Sequence, residues 1–147
     1  MLVEFRVKNY KSFRDETVFS MIAEEPATKK AETSFETGFR IAPDLSNISV
    51  IYGPNASGKS NLLDAMNFMI YFILFSNKGE EHLKSLKRHV FDKESYKSTS
   101  EFEFSFIYQN FLFRYGFEID NEKVHNEWLT AIDKDADKQK VQTWINR

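Results

Sequence analysis

Two glycines, a lysine and a serine stand at a fixed spacing near the middle of the chain. Residues 53–60 read Gly-Pro-Asn-Ala-Ser-Gly-Lys-Ser, which matches the pattern G-x-x-x-x-G-K-[ST] at every fixed position. Gly53 and Gly58 permit backbone dihedrals and a close approach that a Cβ would block. Successive amide N–H groups of residues 55–60 can then turn inward around a phosphate, and the following helix adds the positive end of its dipole. The pattern therefore predicts a site for the phosphates of a nucleotide.

Two side chains of this loop have separate expected roles. Lys59 is expected to place its ammonium between the β- and γ-phosphates, and the Ser60 hydroxyl is expected to bind the metal. The predicted cofactors are ATP and Mg²⁺, with Ser60 as the metal ligand. The predicted phosphate-binding residues are Gly53, Asn55, Ala56, Ser57, Gly58, Lys59, Ser60 and Asn61. A guanine-specific Asn-Lys-x-Asp is absent from the sequence, which argues against a GTPase.

The elements on either side of the loop are suited to hold it. Before it, residues 47–52 form a compact apolar run rich in β-branched side chains, typical of a strand buried on both faces. After it, residues 61–75 predict a long helix, and Gly79 suits a C-terminal cap. A strand, this loop and a helix in succession support the phosphate-binding interpretation more strongly than the eight residues alone.

The N-terminal part of the chain predicts strands by its apolar alternation. Residues 2–7 and 16–23 are expected to form a β-hairpin with a wide turn. A charged surface loop is expected at residues 24–34, and a short strand at 37–42.

The C-terminal part predicts an antiparallel meander with one buried face. Its strands are expected at residues 101–106, 111–119 and 124–132. Phe102, Phe104 and Phe106 are expected in the core rather than on a base-stacking surface. Residues 80–90 are expected to be a mixed-charge helix or loop, and residues 133–147 are expected to add nothing to the core.

Composition limits the class of protein. The 147 residues are 41% hydrophobic and 29% charged with no cysteine, which excludes a disordered or collagen-like chain, a disulfide framework and a thiolate metal site. The formal net charge of −2 gives no overall attraction to nucleic acid. The N-terminus lacks the apolar block of a signal peptide, and the apolar stretch 62–75 is shorter than a bilayer-spanning helix. A soluble cytoplasmic protein with no membrane partner is expected.

A known family shares these motifs. Residues 52–65, Tyr-Gly-Pro-Asn-Ala-Ser-Gly-Lys-Ser-Asn-Leu-Leu-Asp-Ala, resemble the loop of ABC-type ATPase heads of the SMC, RecF and OLD kind. They resemble more closely the bacterial AAA-15/AAA-21 ATPases often encoded in anti-phage systems. Residues 5–13 resemble the opening strand and turn of the same group. The resemblance implies an α/β P-loop NTPase fold, lobe I of an ABC-ATPase head, with a mixed sheet and an antiparallel β subdomain.

The resemblance also implies a domain organisation and partners. Residues 1–147 are expected to be a single N-terminal ATP-binding lobe with the remainder of the head missing. Its parts are the opening strands 1–52, the P-loop and helix 53–79, and the β subdomain 98–132. Such a head is expected to hydrolyse ATP as a homodimer bridged by ATP, and to act on DNA or on a nuclease or toxin partner. The alternative is a non-hydrolysing, ATP-gated module that restrains an effector.

Two further roles come from the resemblance. Lys11 occupies the place where such heads put a basic residue that reaches the nucleotide phosphates; the alternative is a solvated turn lysine. Asn55 matches a loop asparagine that hydrogen-bonds near the γ-phosphate or the attacking water; the alternative is an ordinary turn residue.

No catalytic residue is assigned. The Ser-Gly-Gly signature of ABC-type heads does not occur in the sequence. The nearest match to their acidic strand ends at Asp133, and Lys134 follows where a glutamate is expected, so Asp133 is interpreted as a strand end. The glutamines lack a diagnostic context; they are Gln109, Gln139 and Gln142. A small P-loop kinase would need an acceptor lid and an arginine cluster, which are not recognisable.

The remaining polar clusters are interpreted as structural. His82, His89 and His125 are too scattered for a zinc site. The run Lys84-x-x-Lys87-Arg88-His89 could contact nucleic-acid phosphates, but neighbouring acids favour a solvated helix face.

Overall fold

The computed structural model describes residues 1–23, 33–75, 81–91, 93–136 and 139–147. Strands come first, then three helices, then four further strands. In chain order they are β1 (Leu2–Lys8), β2 (Thr17–Ser20), β3 (Ser34–Phe39), β4 (Ala42–Ser46), α1 (Lys59–Phe75), α2 (Glu81–Lys84), α3 (Lys93–Lys97), β5 (Ser100–Tyr108), β6 (Phe111–Ile119), β7 (Val124–Asp133) and β8 (Val141–Asn146).

One six-stranded sheet joins the two ends of the chain. Its strand order is β2-β1-β5-β6-β7-β8, and β3 and β4 form a separate two-stranded sheet. The predicted N-terminal hairpin and the predicted meander are both present, and β1 lies beside β5 so that they share hydrogen bonds. Every strand pairing among the described residues is antiparallel. The fold is α/β as predicted, but the prediction of a mixed sheet is wrong.

The segment that precedes the loop explains this difference. Residues 47–52 are not a strand, and their apolar side chains are exposed: Ile48 by 79%, Val50 by 76% and Tyr52 by 90%. A strand buried on both faces needs a hydrogen-bonded neighbour and a covering layer on each face. No strand of the described residues pairs with this segment. The prediction of a buried strand here is therefore wrong.

Helix α1 covers one face of the sheet. Its buried side chains Leu62, Ala65, Met69 and Phe72 recur at intervals of three and four residues, which places them on one stripe of the helix. They pack with Phe5, Val7, Phe102 and Phe117 of β1, β5 and β6 in one continuous core. The helix predicted at 61–75 is confirmed, and it begins two residues earlier, at Lys59. The predicted Gly79 cap lies outside the described residues, as does most of the predicted loop 24–34.

The opposite face of the sheet is covered at one end by the β3–β4 hairpin. Phe39 and Leu45 of the hairpin pack with Leu112 and Ile132 of the sheet. Ile107 of β5 also contacts this second cluster, whereas Phe102 of the same strand belongs to the helix-side core. Ile107 and Phe102 are an odd number of residues apart, so their side chains lie on opposite faces of the sheet. The meander therefore buries parts of both faces rather than the one predicted.

The remaining predictions concern the phenylalanines of β5, the C-terminal stretch and residues 81–91. Phe102 is buried and Phe104 packs against the helix-side core, in agreement with the predicted core role. Phe106 belongs to neither core cluster and stacks on Phe113 instead. The C-terminal stretch, expected to add nothing to the core, forms β8 at the sheet edge, paired with β7, and its described residues belong to neither core cluster. Residues 81–91 are a short helix and a turn, as the mixed-charge pattern predicted. None of the helices in the described ranges is long and apolar enough to span a bilayer.

Candidate functional site

The loop 53–60 turns tightly into α1. Ala56 and Gly58 have positive φ values of 64° and 93°, and the amide of Leu62 donates to the carbonyl of Gly58 at 3.0 Å as the helix starts. A Cβ at Gly58 would lie 3.2 Å from Ser12 Oγ and 3.5 Å from Phe13 Cε1. Only glycine therefore combines this backbone conformation with such close packing on the β1–β2 turn.

Lys59 folds back across the loop. Its Nζ donates to the carbonyl oxygens of Gly53 at 2.8 Å and Pro54 at 2.7 Å, and to Ser57 Oγ at 3.3 Å. No carboxylate of the described residues pairs with it. These neutral acceptors hold the ammonium at the loop without cancelling its charge, and a phosphate oxygen would be a stronger acceptor.

The predicted phosphate-binding residues line one cavity. Its volume is about 350 Å³. The lining consists of Asn55, Ala56, Ser57, Gly58, Lys59, Ser60 and Asn61. Gly53 is outside the lining but supplies a carbonyl to Lys59. The structure thus brings together the residues that the loop pattern predicted, and the lining contains no carboxylate among the described residues.

Ser60 is available to a metal. It lies on the first turn of α1, lines the cavity and is exposed. Its hydroxyl makes no hydrogen bond with another residue in the part of the chain that the structure describes. Because Mg²⁺ prefers oxygen ligands and keeps several waters and phosphate oxygens, one free hydroxyl beside a phosphate cavity fits the predicted metal role.

Lys11 lies on the turn that supports the loop. Its side chain forms an ion pair with Asp64 of α1. Its amide donates to the carbonyl of Lys87 at 2.8 Å, and its carbonyl lies 2.9 Å from Nδ1 of His89. The ammonium therefore faces α1 close to the loop, and its predicted contact with phosphates stays a prediction.

Asn9 anchors that turn, and sequence reasoning missed it. The side chain is 2% exposed. Its Nδ2 donates to the carbonyls of Ser95 at 2.7 Å, Ser98 at 3.0 Å and Thr99 at 3.1 Å, and its Oδ1 accepts from the amide of His89 at 3.2 Å. These partners are about 80 to 90 residues away in sequence, so no local signal could reveal them.

Asp64 and Ser12 were also missed as neighbours of the loop. Asn61 Nδ2 donates to Ser12 Oγ at 2.8 Å, and Asp64 holds Lys11. The available signal was the interruption of the apolar helix by a carboxylate one turn after the loop. That signal indicates a polar contact but not its partner.

Tyr10 lies beneath the site and stays protonated. It is 4% exposed and packs against Phe68 and Phe102 with ring centroids 5.6 and 5.4 Å apart. Burial, with a smaller contribution from the charge of Asp64, raises its pKa to about 12. The phenol therefore contributes packing rather than proton transfer near neutral pH.

The other candidate polar residues have structural surroundings. Asp133 ends β7, and its Oδ1 accepts from the amide of Asp135 at 3.0 Å, as expected for a strand end. Gln139 uses its amide on backbone groups of Arg40, Gly38 and Lys134. His125 pairs with Asp120. The described residues contain no cluster of three or more His, Cys, Asp or Glu side chains able to hold a metal.

Comparison with known proteins agrees with this geometry. A family described as "AAA domain, putative AbiEii toxin, Type IV TA system" matches residues 48–140, which is more than half of the 147-residue chain. Among curated proteins, none matches the chain significantly. The matched range contains the loop, α1 and the strands of the meander. The chain therefore belongs to this family of AAA-type, P-loop ATPase-like domains.

Proposed function

We propose that this chain binds Mg²⁺–ATP through residues 53–60. One observation carries the proposal. Among the described residues, Lys59 is held only by two carbonyls and a hydroxyl at a cavity lined by the loop, so its charge is available to a ligand. The family match supports nucleotide binding of the ATPase type.

Each group of the loop has a separate task in this proposal. The backbone amides of the loop and the start of α1 bind phosphate oxygens. Lys59 moves from the carbonyls of Gly53 and Pro54 to the β- and γ-phosphates, and Asn55 lies at the γ-phosphate end. Ser60 donates its oxygen to Mg²⁺, which when bound neutralises phosphate charge.

We further propose that the chain works as lobe I of an ABC-type head of the SMC, RecF and OLD kind. The cavity lining lacks a carboxylate among the described residues, so a base that orients water has to come from elsewhere. An ATP-bridged homodimer would supply it. The family description names a putative toxin of a type IV toxin–antitoxin system, which supports a role in such a system. The proposal adds a nuclease or toxin partner, or DNA, in anti-phage defence in the cytoplasm.

The same lack of a carboxylate favours a second candidate. A loop that binds ATP without a water-activating acid can act as a non-hydrolysing switch that restrains an effector. Single-turnover phosphate release separates the two: release that accelerates with protein concentration supports an ATPase dimer, and tight binding without release at any concentration supports the switch.

Thermal unfolding with and without Mg²⁺–ATP tests the binding proposal. At a hundredfold excess over Kd, binding stabilises by about 2.7 kcal/mol, which corresponds to a rise in Tm of roughly 5–10 °C. Lys59→Met should remove this rise. The control Lys123→Met changes an exposed lysine of the β6–β7 turn and should keep it. An equal rise in Lys59→Met and the unmodified protein would refute the assigned role of Lys59.

A further inference from the structure

An ion pair lies beside the phosphate loop. Lys11 of the β1–β2 turn pairs through its Nζ with Oδ2 of Asp64 on α1. Asp64 follows Ser60 by four residues, so both lie on one face of α1, and helical side chains lean toward the N-terminus of their helix. The carboxylate of Asp64 therefore holds the ammonium of Lys11 near the first turn of α1, where the loop ends.

The backbone of Lys11 is fixed relative to the loop. Its amide donates to the carbonyl of Lys87 at 2.8 Å, and its carbonyl lies 2.9 Å from Nδ1 of His89. The next residue, Ser12, accepts a hydrogen bond at 2.8 Å from Nδ2 of Asn61, which lines the loop cavity. Because the turn is anchored on both sides, the ammonium can change its partner by side-chain rotation alone, without a shift of the backbone.

The side chain of Lys11 borders residues of the loop. It lines a groove together with Ala56 and Asn61, and these two residues also line the loop cavity. The side chain of Lys11 is 22% exposed and that of Asp64 is 49% exposed. Since an ion pair that is open to water is weak, an anion that carries several charges can compete with Asp64 for the ammonium.

The partners of Lys11 and Lys59 differ in charge. Lys59 donates to two carbonyl oxygens and a hydroxyl, which are neutral. Lys11 donates to a carboxylate, which carries a full negative charge. Asp64 therefore cancels a positive charge beside the loop that would otherwise attract phosphates.

We propose that Asp64 is a positioning residue that withholds the ammonium of Lys11 from the phosphates of the ligand. The inference rests on the proposed function and deepens it, because the nucleotide has to compete with Asp64 for Lys11. When the phosphates win, the ammonium turns to a phosphate oxygen and the carboxylate is left to water. The affinity of the loop is then limited by a side chain of its own helix, and removal of that carboxylate strengthens binding.

Calorimetric titration with Mg²⁺–ATP over a double-mutant cycle tests the proposal. Asp64→Asn frees Lys11 and should tighten binding about fivefold, the upper range for one exposed ion pair. In the Lys11→Met background the same substitution removes only a screened repulsion, and the gain should be less than about twofold. If Lys11 does not interact with the ligand, Asp64→Asn acts through its charge alone and changes the affinity by one factor in both backgrounds; that result refutes the proposal.

Thermal unfolding of the ligand-free proteins separates this competition from a structural role. The Tm of Asp64→Asn should be unchanged or lower while its affinity for Mg²⁺–ATP is higher. A pair that only held the turn against α1 would lose affinity together with stability. Asp64→Glu keeps the carboxylate and should bind like the unmodified protein.

Glu101→Gln is the matched control. It breaks another exposed ion pair, in which Lys8 Nζ lies 2.6 Å from Glu101 Oε1 between β1 and β5. Because this pair joins two strands and does not line the loop cavity, the affinity for Mg²⁺–ATP should be unchanged. A gain equal to that of Asp64→Asn would show that any lost negative charge tightens binding, and would refute the specific role of Asp64.

Failure of this inference differs from failure of the proposed function. If Mg²⁺–ATP binds and Lys59→Met abolishes binding, but Asp64→Asn binds no more tightly than the unmodified protein, the role of Asp64 is refuted and the loop assignment stands. If the unmodified protein does not bind Mg²⁺–ATP, or Lys59→Met binds it equally well, the proposed function and the inference are refuted together.

Discussion

At the scale of single residues, a buried amide holds the turn that supports the phosphate loop. Asn9 satisfies three carbonyls of residues 95–99 and the amide of His89. Its φ is 53°, a left-handed conformation that asparagine tolerates better than most residues. Through this anchor the turn residues Ser12 and Phe13 are kept against Gly58.

Asn9→Ala is expected to reduce the free energy of unfolding by about 2–4 kcal/mol. The substitution removes the four hydrogen bonds of a buried side-chain amide and places alanine in a left-handed conformation. Chemical denaturation measures the loss, and Mg²⁺–ATP affinity should fall with it because the turn no longer supports the loop. Asn110→Ala removes an exposed amide that contacts Asp135 and should change stability by less than about 0.5 kcal/mol. Equal effects of the two substitutions would contradict the anchoring role.

At the scale of elements, the sequence predicted those elements that form through contacts between residues close together in the chain. The glycine spacing predicted the loop, and the apolar stretch that follows it predicted the helix α1. The run 47–52 has strong strand propensity, yet a strand forms only where a neighbouring strand accepts its hydrogen bonds. The ion pair of Lys11 with Asp64 and the contacts of Asn9 depend on distant parts of the chain, which no spacing within one segment encodes.

The pairing of β6 with β7 contains a close contact that sequence alone did not indicate. Gly116 lies opposite Trp128, and a Cβ at Gly116 would be 2.5 Å from Trp128 Cε2 and 2.8 Å from the carbonyl oxygen of Phe102. Trp128 is held in place because its Nε1 donates to Glu103 Oε2 at 2.7 Å. The glycine therefore provides the space that the indole occupies.

Gly116→Ala is expected to lower the free energy of unfolding by about 1–3 kcal/mol through overpacking. In the Trp128→Ala background the same change should cost less, because only the clash with the Phe102 carbonyl persists. Urea denaturation of the four proteins of this double-mutant cycle measures the coupling. An identical cost in both backgrounds would show that the indole does not constrain residue 116.

At the scale of the whole molecule, stability is centred on the middle of the sheet and decreases toward the functional end. β5 and β6 each have a strand on both sides, and both contribute to the buried cores. Within the described ranges, residues 48–53 have neither a ladder partner nor a covering layer, although they lead directly into the loop. The conformation of the phosphate loop is therefore stabilised by α1 and by the β1–β2 turn, and not by the segment that precedes the loop.

Hydrogen exchange of the ligand-free protein should reproduce this gradient. Amides of residues 102–106 and 113–117 should exchange slowest, those of β8 faster because it is an edge strand, and those of 48–53 at close to the rate of an open chain. Val50→Pro should consequently cost little, whereas Ser105→Pro in the central strand should cost about 3 kcal/mol or more by removing a ladder bond. Protection of residues 48–52 comparable to that of β6 would mean that this segment is paired in solution, because only a hydrogen-bonded neighbour slows exchange to that degree.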